Sequence, residues 1–396
     1  MLHERRIFPA ILRDLKEKMV FVAGPRQCGK TTLSKQVLDQ IPGIYYSWDY
    51  PSHRKAIQNN QLEESAKLWV FDELHKYRTW RNWLKGIFDV HRDDHAIMVT
   101  GSAKLDVFRK GADSLQGRYY FHRMHPFTLA ELINTPTRSS YLDVPELPVL
   151  VPAHTQSSLD ELMKLGAFPE PLFGGSEVKA ARWRLAYASR LVREEIGSIE
   201  GIKNLDAVEL LFDRLPACVG SVLSINSLRE DLEVSFPTVK NWIEVLERFY
   251  SCFRIPPLGA PRIKAVKKEQ KLYMWDFGYV DDKGARFENL VALHLLRYVH
   301  WLEDQEGEKI ELRYFRDVSK REVDFILLRK KKPWMAIEVK IDDRPLDPNL
   351  SYFLERVSVP YAFQISLSGT KDYRVPDING CKVRLLPAAT FLANLP

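Results

Sequence analysis

The first 134 residues alternate short, uniformly apolar runs with stretches of helical periodicity, the pattern of strands joined by helical crossovers in a largely parallel sheet. Strands are predicted at 19–24, 44–48, 68–71, 96–100 and 119–122. Each is apolar or aromatic throughout, as strands covered on both faces must be. From 135 to 158 the chain turns polar and proline-rich (Pro136, Pro145, Pro148, Pro152), which reads as a linker or excursion. Helical periodicity resumes at 159 and ends in three helices, 206–218, 227–233 and 237–250. In the last, Val239, Trp242, Ile243, Leu246, Phe249 and Tyr250 recur at three- and four-residue steps, with Ser235 placed as N-cap and Pro237 in the first turn. A strand at 252–255 follows, and three short helices closed by a strand suggest a winged helix-turn-helix. A helix at 286–298, strands at 312–316, 323–328 and 334–339, another helix, and strands at 361–365 and 382–386 complete the chain. The expected divisions are 1–134, 135–158, 159–260 and 261–396.

A chain of 396 residues with 45% hydrophobic content is long enough for two or three cores. It contains no run of about 18 apolar residues, so no membrane span is expected. Residues Met1–Arg6 lack the apolar stretch of a secretory signal. The four cysteines lie far apart without a C-x-x-C pair, which argues against a zinc site or disulfide framework and suits a reducing, cytoplasmic setting. The net charge of +6 says little alone, but its distribution says more. Arg262, Lys264, Lys267, Lys268 and Lys271 form one basic cluster and Arg329-Lys330-Lys331-Lys332 another. Each is either a solvated loop or a phosphate-contacting patch.

The sharpest chemical signal is Gly24-Pro25-Arg26-Gln27-Cys28-Gly29-Lys30-Thr31, a complete G-x-x-x-x-G-K-[ST] phosphate loop between an apolar strand and a helix. Glycines let successive backbone N–H groups wrap phosphates at a helix start. Lys30 supplies a point charge to the β- and γ-phosphates, Thr31 offers a hydroxyl to Mg²⁺, and Thr32 continues the first helical turn. ATP and Mg²⁺ are the expected ligands. Leu68-Trp69-Val70-Phe71 runs into Asp72-Glu73, placing Asp72 to hold Mg²⁺ through water and Glu73 to polarise the attacking water. Thr100, or alternatively Ser102, ends the next apolar run beside the expected γ-phosphate position. Arg118 follows a helix ending at Gly117. It is either a finger reaching a neighbouring subunit's nucleotide or a cation stabilising a helix C-terminus.

With these residues placed, the chain resembles a large bacterial and archaeal family of AAA-type ATPases that carry a nuclease-like C-terminal domain of unknown function. The likeness runs through residues 24–33, Asp-Glu-Leu-His-Lys (72–76) with Trp80, Thr-Gly-Ser (100–102), Ser-Leu-Gln-Gly-Arg (114–118), His-Pro-Phe-Thr-Leu-Ala-Glu-Leu (125–132), Phe-Pro-Glu-Pro (168–171) and Lys-Leu-Tyr-Met-Trp-Asp-Phe-Gly (271–278). Cys28, His75 and Leu165-Gly166-Ala167 depart from the family's usual residues without touching the ATP chemistry. The resemblance implies an α/β protein with an N-terminal P-loop AAA-type three-layer αβα core, a middle helical and winged-helix region, and a C-terminal restriction-endonuclease-like α/β domain. A homo-oligomer, as a ring or partial ring, is expected with Arg118 as a finger in trans.

The last domain resembles the PD-(D/E)xK nucleases. Asp324 lies in Val323-Asp324-Phe325, Glu338 and Lys340 follow in Ile337-Glu338-Val339-Lys340, and Glu288 on the preceding helix is the usual extra acid. Glu338 and Lys340 alternate on a strand and so share a face. In that pattern Glu288, Asp324 and Glu338 bind Mg²⁺, and Lys340 stabilises the hydroxide or the phosphate. Residues 237–250 mix Lys240 and Arg248 with Glu244 and Glu247, a poor surface for phosphate. The leading expectation is an ATPase whose nucleotide state controls a nuclease-like domain acting on DNA. The alternatives are a signalling ATPase whose terminal domain binds without cutting, and a DNA-binding module tuned by ATP.

Overall fold

The computed structural model describes residues 4–102, 115–143, 151–198, 202, 204–258 and 269–396. The chain forms two compact units, Met1–Pro126 with Arg248–Tyr250, and Phe127–Glu247 with Ser251–Pro396.

In the first unit, five strands β1 (Met19–Ala23), β2 (Gly43–Ser47), β3 (Leu68–Asp72), β4 (Ala96–Gly101) and β5 (Tyr119–Arg123) make one sheet in the order β2-β3-β4-β1-β5. All its pairings are parallel. The predicted strands are all present, with ends shifted by a residue or so. β1 is buried at every position, whereas the edge strands β2 and β5 are each buried at only one. Helices run at Lys30–Gln40, Pro51–Gln58 and Trp80–His91. Trp69, Phe71, Trp80, Leu84 and Phe88 fill the core on one face. Phe21 stacks on Tyr119 with ring centroids 4.4 Å apart. The helix expected to end at Gly117 lies mostly outside the described residues, but Gly117 has the positive φ of 80° that a helix C-cap needs.

The order puts β4 between β1 and β3, so the C-terminal ends of three adjacent strands deliver Ala23, Thr100 and Asp72 to one edge. Gly24 begins the loop at that edge because nothing larger fits. A Cβ there would lie 2.2 Å from the Met124 carbonyl oxygen.

In the second unit, the helical region contains helices at Leu205–Arg214, Ile225–Asp231 and Phe236–Arg248. Ser235 accepts the Thr238 N–H at 3.3 Å, the capping role expected of it. β6 (Cys252–Ile255) pairs antiparallel with β7 (Lys271–Met274). β7 lies in the stretch assigned from sequence to the last domain, yet its partner belongs to the helical region. Part of the proline-rich excursion is helical, because a helix starts at Thr155.

A helix at Lys283–Glu306 then leads into β8 (Ile310–Arg316), β9 (Glu322–Arg329), β10 (Lys332–Lys340), a helix at Pro348–Arg356, β11 (Tyr361–Ser366), β12 (Tyr373–Ile378) and β13 (Cys381–Pro387). The sheet order is β12-β13-β11-β10-β9-β8. β8–β10 form an antiparallel meander, and β10, β11 and β13 run parallel. Ile326, Ala336, Phe353, Leu354 and Val383 pack between this sheet and the helix Pro348–Arg356. Sequence reading missed β12, an edge strand interrupted by Pro376, of which only Val375 and Ile378 are partly buried against the core. Among the described residues no helix is long and apolar enough to cross a membrane.

Candidate functional site

The phosphate loop connects β1 to the helix Lys30–Gln40. Its curl depends on two positive φ angles, 60° at Gln27 and 102° at Gly29. Gly29 then caps the helix and its carbonyl accepts the Leu33 N–H at 2.9 Å. The buried Lys30 ammonium donates to the carbonyls of Gly24 (2.8 Å) and Pro25 (2.7 Å). The loop thus satisfies its own cation. Arg5, a residue the sequence did not single out, is buried and donates to the Cys28 carbonyl at 3.1 Å and to the His125 carbonyl. Pro25, Arg26 and Cys28 complete the loop, and Thr31 and Thr32 are exposed in the first helical turn.

Asp72 ends β3 with both carboxylate oxygens engaged. Thr100 donates its hydroxyl to Oδ1 at 2.5 Å and Tyr45 donates its hydroxyl to Oδ2 at 2.5 Å. Thr100 was expected to face the γ-phosphate; its hydroxyl is instead committed to Asp72, because β4 lies directly beside β3. Ser102 is buried. Tyr45 was read only as part of an apolar strand, yet it also faces the Thr31 hydroxyl. Burial, with Asp72 next to it, pushes its phenol upward.

Glu73 follows with a left-handed φ of 55°, a backbone conformation that costs a non-glycine residue about 1 kcal/mol. Its N–H donates to the Thr100 carbonyl at 2.9 Å. Its carboxylate is buried, and Oε2 makes no hydrogen bond, with His75 Nε2 and Lys76 Nζ each 3.5 Å away. Burial raises its pKa, Asp72 adds to the rise, and Lys30 opposes it. Gln27 Oε1 is likewise buried without a hydrogen bond. A glycine-tight loop, a lysine held only by loop carbonyls and two buried oxygens without hydrogen bonds fit a triphosphate with its metal.

Arg118 immediately precedes β5, whose Tyr119 pairs with Met19 at the start of β1. It therefore sits about 13 Å of strand away from the edge that carries the loop. There it holds Asp89 through two bonds of 2.8 and 3.1 Å.

The C-terminal acids meet as their spacing suggested, with an unforeseen companion. Asp324 on β9 accepts the Val339 N–H at 2.9 Å, and the Asp324 N–H lies 3.4 Å from Glu338 Oε2. Lys340 shares a face with Glu338, bonding Oε1 at 2.7 Å, and also pairs with Asp347 at 2.8 Å. Asp347 in turn caps the helix Pro348–Arg356. Lys340 is thus committed to two internal acids. Glu288 was expected to ligate metal, but its Oε1 accepts from the Tyr273 hydroxyl at 2.7 Å and from Lys271 at 3.0 Å.

Lys271 corrects the reading of a solvated or phosphate-binding basic patch. It is 1% exposed, and its ammonium pairs with Glu288, Glu322 and Asp324. Arg262, Lys264, Lys267 and Lys268 lie outside the described residues. Lys330, Lys331 and Lys332 are exposed around the β9–β10 turn, where Lys330 and Lys331 have positive φ. Burial raises the Asp324 pKa well above the carboxylate range, with Glu338 and Glu288 adding to it. Burial pushes Glu338 to about 7. Among the described residues no group of three or more His, Cys, Asp or Glu side chains is placed to hold a metal ion. The cluster does not fit the metal site that the nuclease resemblance implies.

Residues 16–133 match a family described as an AAA domain. Residues 156–281 and 283–385 match two families described only as domains of unknown function. An uncharacterised protein of Mycobacterium tuberculosis is 22% identical over 358 residues, covering 84% of this chain and 76% of that protein. One from Methanocaldococcus jannaschii is 24% identical over 372 residues, covering 82% and 76%. Among solved structures, Bacteroides Pif1 bound to single-stranded DNA aligns at 14% identity with a TM-score of 0.23, over 42% of this chain and 50% of that one. A structure of two coordinating Pif1 helicases at forked double-stranded DNA aligns at 12% identity and a TM-score of 0.24, over 42% and 52%. The chain thus spans about half the length of these helicase structures, and at such scores the likeness carries no argument about activity.

Proposed function

We propose that the N-terminal unit binds ATP with Mg²⁺ at residues 24–31 and hydrolyses it. The observation that carries this reading is the edge at which three neighbouring strands bring together the loop, Asp72 and the buried Glu73. The AAA domain match over the same residues supports it. Bound Mg·ATP supplies the polarised phosphoanhydride. Lys30 gives up the carbonyls of Gly24 and Pro25 to neutralise the phosphates, and the loop amides and Thr31 orient them. Asp72, aligned by Tyr45 and Thr100, would hold the Mg²⁺. Glu73, whose Oε2 makes no hydrogen bond, would accept a proton from the attacking water and direct it in line. Within this proposal Arg118 serves another copy of the chain, since it stands at the far end of its own sheet, and a homo-oligomer follows.

Lys30→Ala is expected to abolish nucleotide binding. Glu73→Gln is expected to keep ATP binding and cut turnover about 10²- to 10⁴-fold. Wild-type turnover by Glu73→Gln would remove Glu73 from the mechanism. No binding of a fluorescent ATP analogue by the folded wild type would end the proposal itself. For the terminal domain, the buried ion pairs of Lys271, with Lys340 held between Glu338 and Asp347, favour a partner-binding role driven by nucleotide state over cleavage of DNA.

A further inference from the structure

Lys271 reaches the acid cluster from outside the terminal sheet. It lies on β7, in the two-stranded ribbon with β6, and its side chain crosses to the helix Lys283–Glu306 and to β9. Its Nζ is 3.0 Å from Glu288 Oε1 and 3.7 Å from Asp324 Oδ1, and it also pairs with Glu322 Oε1. An ammonium has three N–H donors and no acceptor; Glu288 and Glu322 lie within bonding distance, and Asp324 at 3.7 Å adds charge attraction without a hydrogen bond. The Tyr314 ring lies 5.6 Å below the charge and closes another side. The remaining acids have cations of their own. Glu322 Oε2 takes Arg316 at 3.2 Å, while Glu338 and Asp347 share Lys340.

We propose that the Lys271 ammonium is the resident cation of this cluster, standing where a divalent metal would otherwise bridge Glu288 and Asp324. A metal ligated by those two carboxylates at about 2.1 Å would be driven against a buried positive charge with no solvent to screen it. Expelling Lys271 would leave that ammonium uncompensated in the interior, which is strongly destabilising. The arrangement also ties the helical region to the terminal sheet, because the cation belongs to one and the anions to the other. The terminal domain therefore keeps the acids as an internal latch and takes no metal.

The test uses the full-length, nucleotide-free protein and Mn²⁺ as the probe, followed by the loss of the free-ion electron paramagnetic resonance signal. Wild type is expected to show no micromolar site that depends on Asp324. Lys271→Met is expected to gain one Mn²⁺ site, lost again when Asp324→Asn is added, and to be stabilised against heat by Mn²⁺. Micromolar Mn²⁺ binding by wild type that disappears in Asp324→Asn would overturn the proposal. So would Mg²⁺-dependent DNA cleavage abolished by the same change. Both overturning results come from proteins that retain Lys271, so poor folding of Lys271→Met leaves the test decisive. The ATPase reading concerns the other unit and stands or falls separately.

Discussion

Replacing Gly24 by alanine tests whether the approach of the first strand to the chain after β5 sets the catalytic edge. The new methyl would lie 2.2 Å from the Met124 carbonyl oxygen, 3.1 Å from its carbonyl carbon and 3.2 Å from its Cβ. The first distance is about 1 Å inside ordinary contact. The obstacle is backbone, held by the Met124 N–H bond to the Ala23 carbonyl at 2.8 Å, so no side chain can swing aside. Either the strands part or the loop shifts outward. Overpacking of this kind costs ~1–3 kcal/mol of stability. A displacement of about 1 Å at a phosphate site costs on the order of 10²-fold in turnover. Gly43→Ala is a matched control, because its methyl would lie 2.2 Å from the Leu68 carbonyl oxygen in the same sheet, at the opposite end from the loop. Both variants should lose several degrees of thermal stability. In a phosphate-release assay below the melting range, only Gly24→Ala should lose ATPase activity. If Gly24→Ala stayed folded and turned over ATP within about threefold of wild type, the idea that this contact positions the loop would be refuted.

Two further outcomes are expected. Tyr45→Phe removes a donor to an ionised carboxylate, worth ~1.5–3 kcal/mol, and should raise the Mg²⁺ concentration for half-maximal ATPase at least tenfold; an unchanged Mg²⁺ dependence would dismiss Tyr45 as a positioning residue. His294 accepts the Leu129 N–H at 3.1 Å and contacts the Leu290 carbonyl at 2.8 Å. Burial lowers its pKa from 6.5 to about 4; Arg297 adds to the fall, while the Leu290 contact and Glu131 oppose it. Its folded value is depressed, so its contribution is full above 6.5 and is lost as pH falls through the window down to about 4. Melting temperature should drop over that window in wild type and drop less in His294→Gln.

The phosphate loop was readable because its chemistry is local: glycines, lysine and threonine act within eight consecutive residues. Asp72 and Glu73 were readable because a buried run ending in acids marks a strand's exit. Tyr45 and Arg5 were not, since their roles depend on sheet order and on chain returning from 23 and 120 residues away. The bond from Thr100 to Asp72 was not legible for the same reason, since it depends on β3 and β4 being neighbours. Lys271 shows the limit of counting charge along a chain. It sits beside a run of cations in sequence, while its partners lie 17 to 53 residues onward and bury it. The edge strand β12 was hidden because Pro376 interrupts it and only Val375 and Ile378 pack against the core.

Thr100 and Tyr45 grip one carboxyl group from either side, so Asp72 works as a rivet through three neighbouring strands. Any cation that draws Asp72 must tug laterally on β2 and β4, although neither contributes to the loop. Occupancy is therefore a mechanical load shared by the width of the sheet, and slower amide exchange in Gly43–Ser47 and Ala96–Gly101 is where that load would be felt.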